Sequence, residues 1–138
     1  SEALYQNNIH GRPLRIINTS SMGTQIGLRA SPAYVASKAG LESMTKSLAK
    51  ELAGVRPVIM CCIAPGGIQD TNMATYIEES LVRTRGMTPE QAKAYFTQSP
   101  LKRNMTHEEL LAIYKFAMFD MPEYMTGTVL YCTGGMGV

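Results

Sequence analysis

Apolar residues in this chain fall either in short unbroken runs or in stripes at helical spacing. Leu14-Arg15-Ile16-Ile17-Asn18 follows Gly11-Arg12-Pro13 and reads as a buried strand. Val58 to Ala64 is apolar on both faces, as a central parallel strand is, and Pro65-Gly66-Gly67 breaks it. Thr128-Val129-Leu130-Tyr131-Cys132 predicts a third strand, closed by Thr133-Gly134-Gly135. Ser31-Pro32 opens a helix, with Ser31 as N-cap and Pro32 at the first position, where its missing N–H costs nothing. Leu41, Met44, Leu48 and Leu52 make its apolar face, Glu42 and Lys46 pair at i,i+4 on its outside, and Gly54 ends it. Met22 to Ala30 reads as a loop leading into that helix.

Asn72 to Arg85 reads as a helix with Met73, Tyr76, Ile77 and Leu81 inward, stopped by Gly86. Thr88-Pro89-Glu90-Gln91 is a second capped start, whose helix stops near Ser99-Pro100. Thr106-His107-Glu108-Glu109 is a capping box opening a helix through Leu110, Ile113, Phe116 and Ala117. Strand and helix thus alternate, which predicts an α/β fold of about three parallel strands with flanking helices, in one partial domain over 1–138. The segment 66–105 is longer than a crossover needs. It leaves the carboxyl end of a strand, where open α/β sheets bind ligands, so it is expected to be a substrate lid.

The 138 residues suffice for one domain with a core. A formal net charge of +2, without a run of Lys and Arg, argues against a nucleic-acid partner. No apolar stretch reaches the roughly 18 residues of a membrane helix, and Ser1-Glu2-Ala3-Leu4-Tyr5 lacks the pattern of a secretion signal. Cys61, Cys62 and Cys132 make a poor disulfide framework, since strand neighbours point to opposite faces. They read as buried, inert thiols of a cytoplasmic protein. His10 and His107 have no metal-ligand company, and the ten methionines read as core gap-fillers, with Met73, Met87 and Met105 in or beside the lid.

Tyr34 and Lys38 are four apart, so both project from one face at the start of a helix. A phenol with a pKa near about 10 is a poor proton donor or acceptor at neutral pH; a neighbouring ammonium group favours the phenolate and brings it into the working range. Ser21 follows the first strand at its carboxyl end, and Pro65-Gly66 ends the second at the same sheet edge, where a backbone without side-chain bulk admits a flat ring.

Ile17-Asn18-Thr19-Ser20-Ser21, Tyr34-Val35-Ala36-Ser37-Lys38-Ala39-Gly40, Ala64-Pro65-Gly66 and Tyr124-Met125-Thr126-Gly127, with Gly134-Gly135, resemble the short-chain dehydrogenase/reductase family in its usual order. The resemblance covers residues 14 to 135 and is closest to the branch that includes 3-oxoacyl-carrier-protein reductases. It implies the C-terminal portion of a Rossmann-type doubly wound parallel sheet. It further implies an oxidoreductase that interconverts a small-molecule secondary alcohol and a ketone with NAD or NADP. Tyr34 would be the general acid/base. Lys38 would assist it and hydrogen-bond the nicotinamide ribose, and Ser21 would polarise the carbonyl. Ser20 would be a structural hydroxyl. Pro65, Gly66 and Ile68 match the loop beside the nicotinamide, with the Ile68 backbone near its carboxamide. The family usually places a threonine after that loop; here Asp70 stands in its place, and Thr71 is the candidate for the contact.

The family's glycine-rich phosphate turn has no counterpart in these residues. Gly134-Gly135 and Gly137 follow a strand, with no helix after them. The residue that tells NAD from NADP and the family's relay asparagine are absent too; Asn7 and Asn8 lie too near Ser21 and read as turn or helix-end residues. The Leu14 to Asn18 strand would then need a neighbour on its other side. The expectation is a homo-oligomer or association with an N-terminal half. The alternative is a truncated, non-catalytic partner that docks through that strand and the helix face.

Overall fold

A computed structural model describes residues 13–55 and 57–137; Asn7, Asn8 and His10 lie outside them. The three expected strands form one parallel sheet in the order β1 (Leu14–Thr19), β2 (Val58–Pro65), β3 (Thr128–Cys132). Leu14 pairs with Val58 and Thr19 with Ile63; Cys61 pairs with Thr128 and Pro65 with Cys132. β2 is central, and from Ile59 to Pro65 it is buried on both faces. β1 is half-buried rather than buried, because it lies at the sheet edge among the described residues.

Among the described residues, five α-helices accompany the sheet: α1 (Gly23–Ile26), α2 (Pro32–Leu52), α3 (Asn72–Arg85), α4 (Pro89–Phe96) and α5 (His107–Lys115). Ile59, Cys61 and Ile63 point to the α5 side, where they pack with Ala117, Met121, Ile113 and Leu130. Local chemistry sets the helix ends. Thr88 and Thr106 form complete capping boxes with Gln91 and Glu109. Gly86 closes α3 at φ 63, a left-handed backbone that glycine adopts without a side-chain clash.

Several expectations fail, each for a physical reason. Ser31 occupies the N-cap position of α2 but makes no capping hydrogen bond. Met22 to Ala30 is not all loop, since it contains the single turn α1. Met44 is exposed, and the face of α2 turned to the sheet carries Glu42, Thr45 and Ala49 instead of the leucine stripe. Glu42 is therefore inside, not outside, and it forms no ion pair with Lys46. Polar residues are tolerated there because β1 and its exit supply partners: Asn18 donates to Thr45 Oγ1 at 2.8 Å, and Ser20 reaches Glu42.

In α3 the buried residues are Ala74 and Leu81, while Met73 and Tyr76 are exposed. α5 ends at Lys115 in a π turn, Phe116–Asp120, which leaves Phe116 partly exposed. Arg15 stabilises this turn by donating to the carbonyls of Ala117 at 3.1 Å and Met121 at 2.8 Å. Cys61 and Cys62 are buried and Cys132 is half-buried; burial pushes all three thiols above their ordinary pKa, as inert thiols require. Among the described residues, no helix is long and apolar enough to cross a membrane, and no cluster could hold a metal ion.

Candidate active site

β1 and β2 end at the same edge, and both exits turn sharply. After β1 the chain passes through Ser20 and Ser21, bonded across to β2 by Ser20 N–H to Ile63 O at 2.7 Å and Met22 N–H to Pro65 O at 3.0 Å. After β2 it passes through Gly66, whose N–H donates to Cys132 O at 2.9 Å. A Cβ on Gly66 would sit 3.3 Å from the Thr133 Cα and 3.4 Å from the Cys132 carbonyl oxygen. Backbone approaches backbone so closely here that a side chain would require one of the two to shift by a few tenths of an ångström.

Between these turns lies a cleft of about 400 Å³. Ser21, Tyr34, Lys38, Pro65, Gly66, Ile68 and Thr71 all line it, so the structure brings every residue singled out by the sequence to one place. Ser21 Oγ accepts the Gly23 N–H at 3.1 Å, which occupies a lone pair and leaves its proton free. Lys38 Nζ lies 5.8 Å from the centroid of the Tyr34 ring and donates to Thr19 O at 2.9 Å. Among the described residues the Tyr34 hydroxyl meets no protein partner. Thr71 is also the N-cap of α3, accepting the Ala74 N–H at 3.1 Å, while Asp70 lines a different cavity. Ser20 does not offer its hydroxyl to the cleft, because it donates to Glu42 at 2.6 Å.

Other walls come from α1 and from the 66–105 segment. Met22, Ile26, Leu28, Met73, Ile77 and Tyr95 make the lining chiefly apolar, and Arg29 is its one charged group besides Lys38. The methionines thus divide: Met60 and Met121 fill the core, whereas Met22, Met73 and Met136 face the cleft. A second cavity of about 520 Å³ adjoins at Gly66, Gly67 and Met136 and extends toward α5, but none of Ser21, Tyr34 and Lys38 reaches it.

Sequence reasoning missed Glu42. Its carboxylate accepts from Ser20 at 2.6 Å, Thr24 at 2.6 Å and Tyr131 at 2.8 Å. Burial pushes its pKa up, but these hydrogen bonds and the charge of Lys46 outweigh that and hold it below the ordinary value. The available signal was its place one turn beyond Lys38 on the same helix face.

A family model described as enoyl-(acyl carrier protein) reductase matches residues 3–137. The 3-oxoacyl-(acyl-carrier-protein) reductase of Pseudomonas aeruginosa is 35% identical over 136 residues, covering 99% of this chain and 50% of the relative. Nodulation protein G of Rhizobium meliloti is 32% identical, covering 96% and 49%. Among solved structures, sorbitol-6-phosphate 2-dehydrogenase from Erwinia amylovora superposes with a TM-score of 0.83 at 27% identity, covering 97% of this chain and 51% of that one. An NAD+-bound xylitol dehydrogenase gives 0.80 at 25% identity, covering 97% and 53%. The chain spans about half the length of the curated relatives it matches. Match, fold and motif order agree: the chain belongs to the short-chain dehydrogenase/reductase family.

Proposed function

We propose that this chain is the catalytic and substrate-binding portion of an NAD(P)-dependent oxidoreductase that interconverts a secondary alcohol and a ketone. One observation carries the proposal: Ser21, Tyr34 and Lys38 share a single cleft with the Pro65-Gly66-Gly67 turn. That turn fits the nicotinamide end of the cofactor, since Gly66 and Gly67 put no side chain between their backbone and the cleft they line. Pro65, Gly66, Ile68 and Thr71 would flank it, and Lys38 would reach its ribose. When bound, the cofactor supplies or accepts the hydride at the carbonyl carbon.

The chain's own residues handle the oxygen. In reduction the Tyr34 hydroxyl gives its proton to the carbonyl oxygen, and Lys38 balances the phenolate left behind. The free Ser21 proton hydrogen-bonds the same oxygen, holding the carbonyl in place and stabilising its developing charge. Oxidation runs the same transfers backwards. The apolar wall of Met22, Ile26, Leu28, Met73, Ile77 and Tyr95 favours a ketone with an apolar flank, and the 66–105 segment serves as the lid that excludes water. In the full natural polypeptide, Tyr34→Phe is expected to abolish turnover and leave cofactor binding intact. Turnover that survives in Tyr34→Phe refutes the proposal.

A non-catalytic partner role is favoured by one observation, the place of β1 at the sheet edge among the described residues. Binding of NAD(P)H by the isolated chain at micromolar concentration, read as a change in cofactor fluorescence, would remove its support.

A further inference from the structure

We propose that Glu42 is a positioning residue, whose buried carboxylate gathers the hydroxyls of Ser20, Thr24 and Tyr131 and thereby holds Ser21 in place for the reaction. The proposal rests on the alcohol–ketone reading, which gives Ser21 its substrate contact.

Glu42 follows Lys38 by one helical turn and Tyr34 by two, so it continues their face of α2 inward beneath the cleft. It is 6% exposed. A carboxylate so placed loses its hydration and stays only where donors replace water. Three O–H groups do so: Ser20 and Thr24 both reach Oε1 at 2.6 Å, and Tyr131 reaches Oε2 at 2.8 Å. Lengths near 2.6 Å are those of charge-assisted O–H···O⁻ bonds, stronger than bonds between neutral groups.

The arrangement matters because of where the donors sit. Ser20 immediately precedes Ser21, and Thr24 follows it by three residues with its hydroxyl also 2.9 Å from the Ser21 carbonyl oxygen. The chain is thus pinned on both sides of Ser21 by one anion. Tyr131 comes from β3 and fixes the other carboxylate oxygen, so the anchor itself cannot swing. Ser21 Oγ takes no part; its contact is the Gly23 amide, and its proton stays free. Lys38 and the Pro65–Ile68 turn, which would meet the cofactor, make no hydrogen bond to the Glu42 carboxylate; the anchor's one link to Lys38 is the Ser20 hydroxyl, 3.3 Å from the Lys38 main-chain carbonyl oxygen. Loss of the anchor should therefore reach Ser21 and spare cofactor binding.

Steady-state kinetics of the full natural polypeptide separate this role from plain stabilisation. Glu42→Leu is expected to lower kcat by about tenfold or more and to leave the cofactor KM within about twofold. Glu42→Gln keeps an oxygen that accepts from Ser20 and Thr24, and is expected to retain kcat to within about threefold. A folded Glu42→Leu enzyme with kcat within about twofold of wild type, or with a cofactor KM that rises as much as kcat falls, overturns the proposal. Should Glu42→Leu fail to fold, Thr24→Val carries the test: a kcat lower by about threefold or more with an unchanged cofactor KM supports the role, and an unchanged kcat overturns it. Tyr34→Phe, assayed alongside, tests the alcohol–ketone reading separately. If that reading fails, crystal structures of the folded variants still decide. A Ser21 hydroxyl displaced from the Gly23 amide supports positioning, and an undisturbed one overturns it.

Discussion

The Lys38 ammonium donates to the main-chain carbonyl of Thr19 at 2.9 Å, tying the start of α2 to the end of the strand that leads into Ser21. One cation thereby sets the spacing between the two elements that carry the cleft's hydroxyls, and it lies 5.8 Å from the Tyr34 ring centroid. Lys38→Met in the full natural polypeptide removes both the strut and the charge. Turnover is expected to fall by about 100-fold, with weaker cofactor binding as well. A kcat within about threefold of wild type would show that Lys38 is only a surface strut.

Ile63 sits fully buried in β2, between Thr19 on one neighbouring strand and Leu130 on the other. Ile63→Ala leaves a cavity in a layer that cannot collapse without moving three strands. A loss of roughly 3 kcal/mol is expected, read as a lower urea midpoint at an unchanged slope.

Arg15 bonds the carbonyl of Ala117 in the π turn and that of Met121 just after it. Arg15→Met keeps the apolar stem and strands both acceptors. The expected cost is about 1–3 kcal/mol, with faster amide exchange from Phe116 to Met121 as the local signature.

Thr88 and Thr106 each accept an N3 amide while Gln91 and Glu109 return the bond to the cap backbone. Thr106→Ala is expected to cost about 1 kcal/mol by urea unfolding, and Thr88→Ala a similar amount. If both are silent, the two helix starts are held by packing instead.

Acid should weaken the fold through carboxyls whose pKa folding lowers, Glu42, Glu108 and Glu109. Burial raises the Glu42 pKa, but the bonds from Ser20, Thr24 and Tyr131 bring it below 4.5. Hydrogen bonds from Arg103 and the Thr106 amide draw Glu109 down to about 2. A group whose pKa is lower in the folded state adds stability that is complete above its unfolded value and is lost as pH falls through the folded value. Unfolding free energy is therefore expected to hold above about pH 5 and to decline from 4.5 toward 2. Glu42→Gln should flatten part of that decline; an identical acid limb in the variant would mean the carboxyl titrates alike folded and unfolded.

The sheet was legible in the sequence because each strand is a short apolar run cut by Pro or Gly, and the helix starts because a threonine and its partner three residues on act locally. What stayed hidden depends on distant residues. Glu42 read as an exposed partner for Lys46, since the leucine stripe of α2 suggested a different inner face; its true donors stand 22, 18 and 89 residues away. Arg15 likewise meets carbonyls 102 and 106 residues on, which no local pattern announces. Tyr76 has helical spacing appropriate to burial and yet is exposed, because Ala74 and Leu81 take the inner face of α3. Ser21, Tyr34 and Lys38 were singled out for another reason: two strand ends and a helix start converge on one sheet edge, and the motifs that carry the three residues resemble those of the family.

The long excursion after β2 leaves and returns at a single point. Ile68 bridges Met105, with Met105 N–H donating to Gly67 O at 2.8 Å and Gln69 N–H to Met105 O at 3.0 Å. The segment from 70 to 104 is gathered at that two-bond clasp, and it rests on the rest of the molecule where Ser99, Pro100 and Leu101 face Gly134 and Gly135 and where Arg103 pairs with Glu109. Evolution, or a protein engineer, could exchange the helices within the segment and alter what the cleft accepts, provided the neck and the footing of residues 99 to 103 passed unchanged from one version to the next.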